Sequence, residues 1–158
     1  MLFRSIVGGA GSPKALLRLP RSTRLVVITE KDGSLHAWES YAEGKEGTWR
    51  EMAILAEVTQ LMGACITEDG GAVILIAMVS GKPHVLRCDI PGGTVANDTP
   101  DAADDLSAVT TTDLGEAIGL DLQTVSVLVE QFGKLRVVGT MGKTVKHFTS
   151  SDGGATWY

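Results

Sequence analysis

The sequence is poor in aromatic residues and cysteines and has no long apolar segment. Aromatic side chains make up 5% of the 158 residues, and the two cysteines are Cys65 and Cys88. Two cysteines are too few for a disulfide framework, and neither a CxxC pair nor a zinc-type histidine spacing is present, so we expect no metal and no cofactor. No apolar run approaches the roughly 20 residues of a membrane-spanning helix, which predicts a soluble domain without a membrane span.

Charges of one sign are missing from two long stretches of the chain. Residues 1–29 contain five basic side chains and no acid, whereas residues 88–133 contain nine acids and no Lys, Arg or His. Since the net charge is −5 and no aromatic residues are interleaved with the basic ones, we expect no nucleic-acid binding. The basic start also fits an organelle-targeting segment, but residues 15–30 have the pattern of folded strands, and the compartment stays open.

What the sequence does contain is glycine, 19 residues in all, placed between short aliphatic segments. A first apolar strand begins ten residues before a second, more hydrophobic one at three places: 15 and 25, 63 and 73, and 125 and 135. A turn with glycine follows, and then a third strand that carries a histidine: His36, His84 or His147. These landmarks predict three repeats of one antiparallel unit, over about 15–52, 63–96 and 125–158, in a single domain of residues 1–158.

The repeats also indicate where the histidines and cysteines lie. Three equivalent histidines on radially arranged sheets suggest a shared metal, but a third-strand histidine more often packs against a neighbouring sheet, so we favour packing. Cys65 falls on the first strand and Cys88 on the third strand of one repeat. The second strand separates them, which predicts buried thiols and no disulfide.

The last nine residues, SSDGGATWY, form the clearest turn in the sequence. Its residues match the pattern S-x-D-x-G-x-T-W at Ser150, Asp152, Gly154, Thr156 and Trp157. In such a turn aspartate accepts hydrogen bonds from backbone N–H groups, glycine supplies a positive φ, and tryptophan covers the hairpin. Here the chain resembles the Asp-box, or BNR-repeat, family of sialidase-like β-propellers. The resemblance implies a structural corner that is remote from any catalytic pocket.

Two weaker copies of this turn follow the third strands of the other repeats. In the first, an insertion replaces the Asp turn, and the remaining box residues are Ser40, Gly47, Thr48 and Trp49. The second has no tryptophan, and its box residues are Asp89, Gly93 and Thr94. The resemblance implies an all-β fold of the β-propeller type, with about three four-stranded antiparallel blades in which the box joins the third and fourth strands.

Three blades are too few for an ordinary closed propeller, which has about four to eight. Sialidase-type propellers have six blades, so the resemblance implies that a second copy of the chain, or a partner protein, completes the ring. An open half-propeller capped by another protein and a fragment of a longer gene product remain the alternatives. We expect the strand-like segment 2–7 to add to the last blade as its outer strand.

Residues 96–122 lengthen the link between the second and third repeats. Calcium binds several carboxylates at once, and this link contains Asp98, Asp101, Asp104 and Asp105. The EF-hand spacing, with its central glycine and terminal glutamate, is absent. We therefore expect a solvated acidic loop at the rim, with a short helix around residues 113–118.

The sequence offers little for glycoside cleavage. Sialidase-family enzymes hold the sugar carboxylate with three arginines, the first in an R-I-P motif, and the matching stretch here is Gly11-Ser12-Pro13, without arginine. The two tyrosines, Tyr41 and Tyr158, have no evident glutamate partner. Glu30 and Asp32, at the end of a second strand, are the carboxylates that we consider for a general acid.

These features favour a non-catalytic propeller module that binds a protein or a glycan, or that forms part of a large assembly such as a viral tail or coat. The alternative is a degenerate or small sialidase-type glycoside hydrolase. The missing arginine argues against it, because a guanidinium fork is hard to replace in carboxylate recognition, and fold resemblance alone does not support catalysis. We predict a homo-oligomer or a complex with a partner protein.

Overall fold

The computed structural model describes residues 9–55, 58–91 and 111–158, and these residues fold entirely as strands, turns and loops. Among them there is no helix of the length and apolarity that a membrane span requires. The eleven strands are β1 (Ser12–Arg18), β2 (Leu25–Lys31), β3 (Ser34–Ser40), β4 (Trp49–Leu55), β5 (Val58–Ile66), β6 (Ala72–Val79), β7 (Lys82–Asp89), β8 (Thr111–Glu116), β9 (Thr124–Gln131), β10 (Lys134–Met141) and β11 (Thr144–Ser150). The predicted all-β fold is confirmed.

The strands form three antiparallel sheets that follow one another along the chain. The first sheet has the order β1-β2-β3-β4, the second β5-β6-β7-β8, and the third β9-β10-β11. Neighbours in each sheet are neighbours in sequence, because tight turns join antiparallel strands. The second strands β2, β6 and β10 begin within one residue of the starts predicted at 25, 73 and 135.

One pairing register is common to the three sheets. It pairs the second and third strands through Leu25 and Ser40, Val73 and Cys88, and Leu135 and Ser150. The sequence separation within each of these pairs is the same. Residues at the same distance from Leu25, Val73 and Leu135 are therefore equivalent, and the sheets can be compared position by position.

The second sheet lies between the other two and is covered on both faces. One face, with Val73 and Leu75, shares a core with the first sheet, and the other, with Ile74 and Ile76, shares a core with the third. The first six residues of β6 are all buried. Burial on both faces explains why β6 is a continuous apolar run in the sequence.

A buried ion group ties the first sheet to the second. Glu39 is fully buried and accepts hydrogen bonds from Arg24 and from Arg50, the latter through Nε and Nη2 at 3.1 and 2.9 Å. Arg24 is also buried, and its Nη1 donates to the carbonyl of Pro91, which follows β7, at 2.7 Å. Two guanidinium groups thus compensate the buried carboxylate, which would be costly to bury alone.

Strand β8 shows that the helix predicted at residues 113–118 is wrong. Residues 111–116 pair with β7, and Gly115 has a φ of 103°, which a right-handed helix excludes. Thr111 and Thr112 are β-branched, and the edge of β7 supplies backbone partners, so sheet pairing overrides the local helix signal. The prediction of a loop over residues 96–122 is therefore wrong for the residues of β8. Residues 96–110 of that loop, and the strand predicted at 2–7, lie outside the described residues.

Candidate binding surface

Residues 150–157, called here the terminal turn, are closed by their own side chains. Ser150 is buried, and its Oγ accepts a hydrogen bond from the Gly154 N–H at 2.9 Å and donates one to Asp152 at 2.7 Å. Asp152 accepts from the Thr156 N–H at 2.9 Å, and Trp157 Nε1 donates to the Gly154 carbonyl at 2.8 Å. The structure thus brings the five predicted box residues together in one turn.

The terminal turn packs against the second sheet through its glycine and tryptophan. Gly154 has a φ of 102°, and a Cβ placed there would lie 2.7 Å from Val85 Cγ2. Trp157 is buried in the core between the second and third sheets. Hydrogen bonds from Thr156, and then from Ser150, hold the pKa of the exposed Asp152 carboxyl well below its usual range. An ionised carboxylate of this kind is suited to bind N–H groups and unsuited to donate a proton.

The first sheet has a related turn at residues 40–49. Ser40 Oγ accepts from the Gly44 N–H at 2.8 Å, and Trp49 Nε1 donates to the Gly44 carbonyl at 3.2 Å. Gly44 also has a positive φ, 77°. Gly44 is therefore the equivalent of Gly154 in the terminal turn, whereas the sequence pattern predicted Gly47 for this position.

In this turn Thr48 is the side chain that binds the serine hydroxyl, as Asp152 does in the terminal turn. The Thr48 and Ser40 hydroxyls lie 2.7 Å apart, and Thr48 Oγ1 donates to the Lys45 carbonyl at 2.6 Å. The serine, glycine and tryptophan thus make the same hydrogen bonds in both turns. The residue that binds the serine hydroxyl differs.

The corresponding corner of the second sheet departs further from this pattern. The strand register places Cys88, and not Asp89, at the position equivalent to Ser40 and Ser150. The Asp89 carboxylate accepts a hydrogen bond from Arg87 Nε at 2.9 Å. If Asp89 is aligned with Asp152, the sequence match is therefore shifted by one residue from the match that the strand pairing gives. Gly93 and Thr94, the other residues predicted for this box, lie outside the described residues.

The residues considered for catalysis are dispersed. Glu30 forms an ion pair with Lys14 at 3.5 Å, and Asp32 lies in the tight turn between β2 and β3. Tyr41 follows β3 at the opposite end of the first sheet. Tyr158 lies at the corner of the third sheet, with its hydroxyl 3.0 Å from Ser151 Oγ. No tyrosine–carboxylate pair forms among these four side chains.

The three histidines do not share one environment. His36 and His84 are equivalent, and each lies beside a carboxylate of the outermost strand of its sheet: Glu51 at 3.4 Å and Asp113 at 2.9 Å. His147 is offset by one residue in the pairing and so points to the opposite face of its sheet. In the described part of the chain, no group of three His, Cys, Asp or Glu side chains is placed to hold a metal ion.

Both cysteines are free and buried, as the sequence predicts. Burial is the main cause that raises the pKa of the Cys65 thiol to about 12, and it also raises the pKa of Cys88. A thiol with a raised pKa stays protonated near neutral pH and is a poor nucleophile.

Turns of the three sheets surround an open hollow of about 550 Å³. Two of these turns exchange hydrogen bonds: Glu130 accepts from the Glu68 N–H at 2.6 Å, and Glu68 accepts from the Phe132 N–H at 2.9 Å. Asp69 accepts from the Gly71 N–H and from Thr67, and these bonds lower the pKa of its carboxyl. The acidic side chains of the hollow are thus engaged by the protein itself, and Glu68 and Glu130 join the second sheet to the third.

The third sheet has a side that points away from the second sheet, called here the open face. Three of its valines, Val127, Val129 and Val145, are 50%, 44% and 71% exposed. The charged residues beside them on β10, Lys134 and Arg136, are basic. The sequence analysis did not identify this face. The signal for the open face in the sequence is the continuous apolar run 127–129 in β9, which is typical of a strand covered on both faces.

No family model matches the sequence, and no curated protein matches it. Among solved structures the chain is similar to TolB from Acinetobacter baumannii, a β-propeller, with a TM-score of 0.53 and 14% sequence identity. The match covers 95% of this chain and 32% of that chain, so this chain spans about a third of the length of TolB. At this identity the likeness shows the fold alone. The chain has a β-propeller-like, all-β fold built from three antiparallel sheets.

Proposed function

We propose that this chain is a non-catalytic β-propeller module of the Asp-box type, which works by binding and contributes its sheets to an assembly. The open face is the observation that carries the proposal. Val127, Val129 and Val145 are about half exposed or more, whereas the opposite side of the same sheet is packed in a core. An apolar patch on a sheet face is typical of an interaction site, and in a propeller such a face is covered by the next sheet of the ring.

The terminal turn supports the structural part of the proposal. Its serine, aspartate and tryptophan side chains make hydrogen bonds within the turn, and its tryptophan is buried between two sheets, as expected of a structural corner. The dispersed positions of Glu30, Asp32, Tyr41 and Tyr158 support the non-catalytic part. A protein or a glycan is the partner class that the proposal retains.

Catalysis and binding are tested in parallel on the full chain. We expect no hydrolysis of a fluorogenic sialoside, and turnover that disappears in Glu30→Gln or Asp32→Asn would overturn the proposal. We expect Val129→Asp to lose the binding of a protein, measured by sedimentation, and the binding of a glycan, measured on a glycan array. The matched control is Leu114→Asp, because Leu114 is 41% exposed on β8, outside the open face. Equal binding by the two variants would exclude the open face as the binding surface.

A further inference from the structure

The two contacts between sheets inside this chain use the same positions of the repeat. Counted from Leu25, the second and fourth residues of β2, Val26 and Ile28, share a core with the second sheet. The equivalent residues of β6, Ile74 and Ile76, share a core with the third sheet. The first and third positions are used in the reverse direction, by Val73 and Leu75 toward the first sheet and by Leu135 and Val137 toward the second. Each sheet therefore has a forward side and a backward side, and the sheets stack head to tail.

By the same count, the open face is the forward side of the third sheet, with Arg136 and Val138 at the second and fourth positions. The backward side of the first sheet is the other end surface, and Val27 at the third position of β2 is already buried there by the chain itself. Leu16 of β1 pairs with Val27 and is 50% exposed, and Trp38 of β3 pairs with Val27 from the other side. The chain thus has the two halves of one contact on its two end sheets.

We propose that the open face binds the backward side of the first sheet of a second copy of this chain. This inference rests on the proposed function and names its partner. The contact joins two different surfaces, and contacts of this kind either close into a ring or continue as a filament. The described residues of two copies supply six sheets, within the roughly four to eight of closed propellers, whereas those of one copy supply three. We therefore expect a ring of two copies that contains two equivalent contacts.

The contact between copies is less apolar than the two contacts within the chain. Arg136 has the position that Val26 and Ile74 have at the internal contacts, and a guanidinium must be desolvated there, although arginine is common at protein interfaces. Thr29, on the backward side of the first sheet, is already buried and donates a hydrogen bond to the Ala10 carbonyl at 2.5 Å. The new contact is therefore centred on the exposed Leu16, and we expect a ring that dissociates on dilution.

Sedimentation velocity of the full chain over a range of concentrations tests this arrangement. We expect a dimer for the wild type and for the control Leu114→Asp, and monomers for Val129→Asp and Leu16→Asp. In a mixed pair of these two variants one contact is intact and the other carries both aspartates, so an equimolar mixture is expected to dimerise more than either variant alone and less than the wild type. Circular dichroism shows whether each variant is folded. If an aspartate variant does not fold, Val129→Thr is expected to weaken dimerisation about tenfold, a loss of about 1.4 kcal/mol.

Each other outcome overturns the arrangement in its own way. A dimer of Leu16→Asp alone, with Val129→Asp monomeric, would mean that two open faces bind each other. A mixture that dimerises no more than either variant alone, at the highest concentration measured, would exclude complementary surfaces. A ladder of larger species in the wild type would exclude the closed ring. A monomeric wild type would overturn the second copy as partner. The proposed function would survive that result if the sialoside assay stayed negative and the glycan array showed binding lost in Val129→Asp.

Discussion

The corner of the first sheet and the corner of the third sheet make the same hydrogen bonds from different sequences. In both, a buried serine hydroxyl accepts from the N–H of the glycine four residues later, and a tryptophan indole donates to the carbonyl of that glycine. The third-sheet corner adds Asp152, whereas the first-sheet corner is two residues longer and uses Thr48. Serine, glycine and tryptophan are therefore the common frame, and the aspartate is one of two ways to complete it.

The largest difference between the corners is expected at their glycines. Gly154→Ala is expected to lower the free energy of unfolding by about 3 kcal/mol, because it combines a positive φ with a Cβ 2.7 Å from Val85 Cγ2 of the second sheet. Gly44→Ala is expected to cost about 1 kcal/mol, since its Cβ would lie 3.2 Å from Trp49 within the same turn. Urea denaturation measures both. Equal losses would mean that φ alone, and not contact with the second sheet, makes Gly154 necessary.

The serines are expected to behave alike. Ser150→Ala and Ser40→Ala each leave a glycine N–H without its acceptor, which is expected to cost about 1–2 kcal/mol of unfolding free energy. The control is Ser151→Ala, because Ser151 is exposed and we expect its removal to change stability little. A loss confined to Ser150→Ala, measured by the same denaturation, would show that the first corner does not depend on the common frame.

The smallest expected difference concerns the aspartate and its pH dependence. Because the folded-state pKa of Asp152 lies below the ordinary 3.8, its carboxylate stabilises the fold above that pH. We expect Asp152→Asn to be less stable than the wild type at neutral pH, with a gap that closes as the pH falls through 3.8 toward the folded-state pKa.

Thr48→Val is the matched change in the first corner, and its loss of stability is expected to be independent of pH because no titrating group is removed. Urea midpoints between neutral pH and about pH 2 compare the two variants. A gap for Asp152→Asn that stays constant over this range would contradict the stabilising role of the ionised carboxylate.

The strands could be predicted because their signals are local. Apolar segments separated by tight glycine turns identified β2, β6 and β10. The terminal turn could be predicted because the hydrogen bonds made by its serine, aspartate and tryptophan side chains lie within eight residues. β8 could not be predicted, since its partner β7 lies far away in sequence and a short helix signal covered the same residues. The acidic residues that precede β8 in the sequence did not predict a strand.

The remaining features depend on strand register and on the stacking of sheets. Cys88 was missed because the strand pairing, which decides which residue is opposite Val73, cannot be read from the sequence. Gly44 was missed because the insertion leaves Gly47 directly before Thr48 and Trp49, where it matches the pattern better. The open face was missed because exposure is set by the order in which sheets stack. The sequence of β9 shows a strand that is apolar on both sides, but it does not show which side stays uncovered.

Glu39 lies in the interior and helps to hold the first sheet to the second, whereas the exchange between Glu68 and Glu130, which holds the second sheet to the third, lies at the surface. Water competes directly for the surface hydrogen bonds of Glu68 and Glu130, whereas the buried hydrogen bonds of Glu39 are shielded from it. Transient opening of the native protein should therefore start at the third sheet, where amide hydrogens would exchange first. A neighbour bound there would slow that exchange.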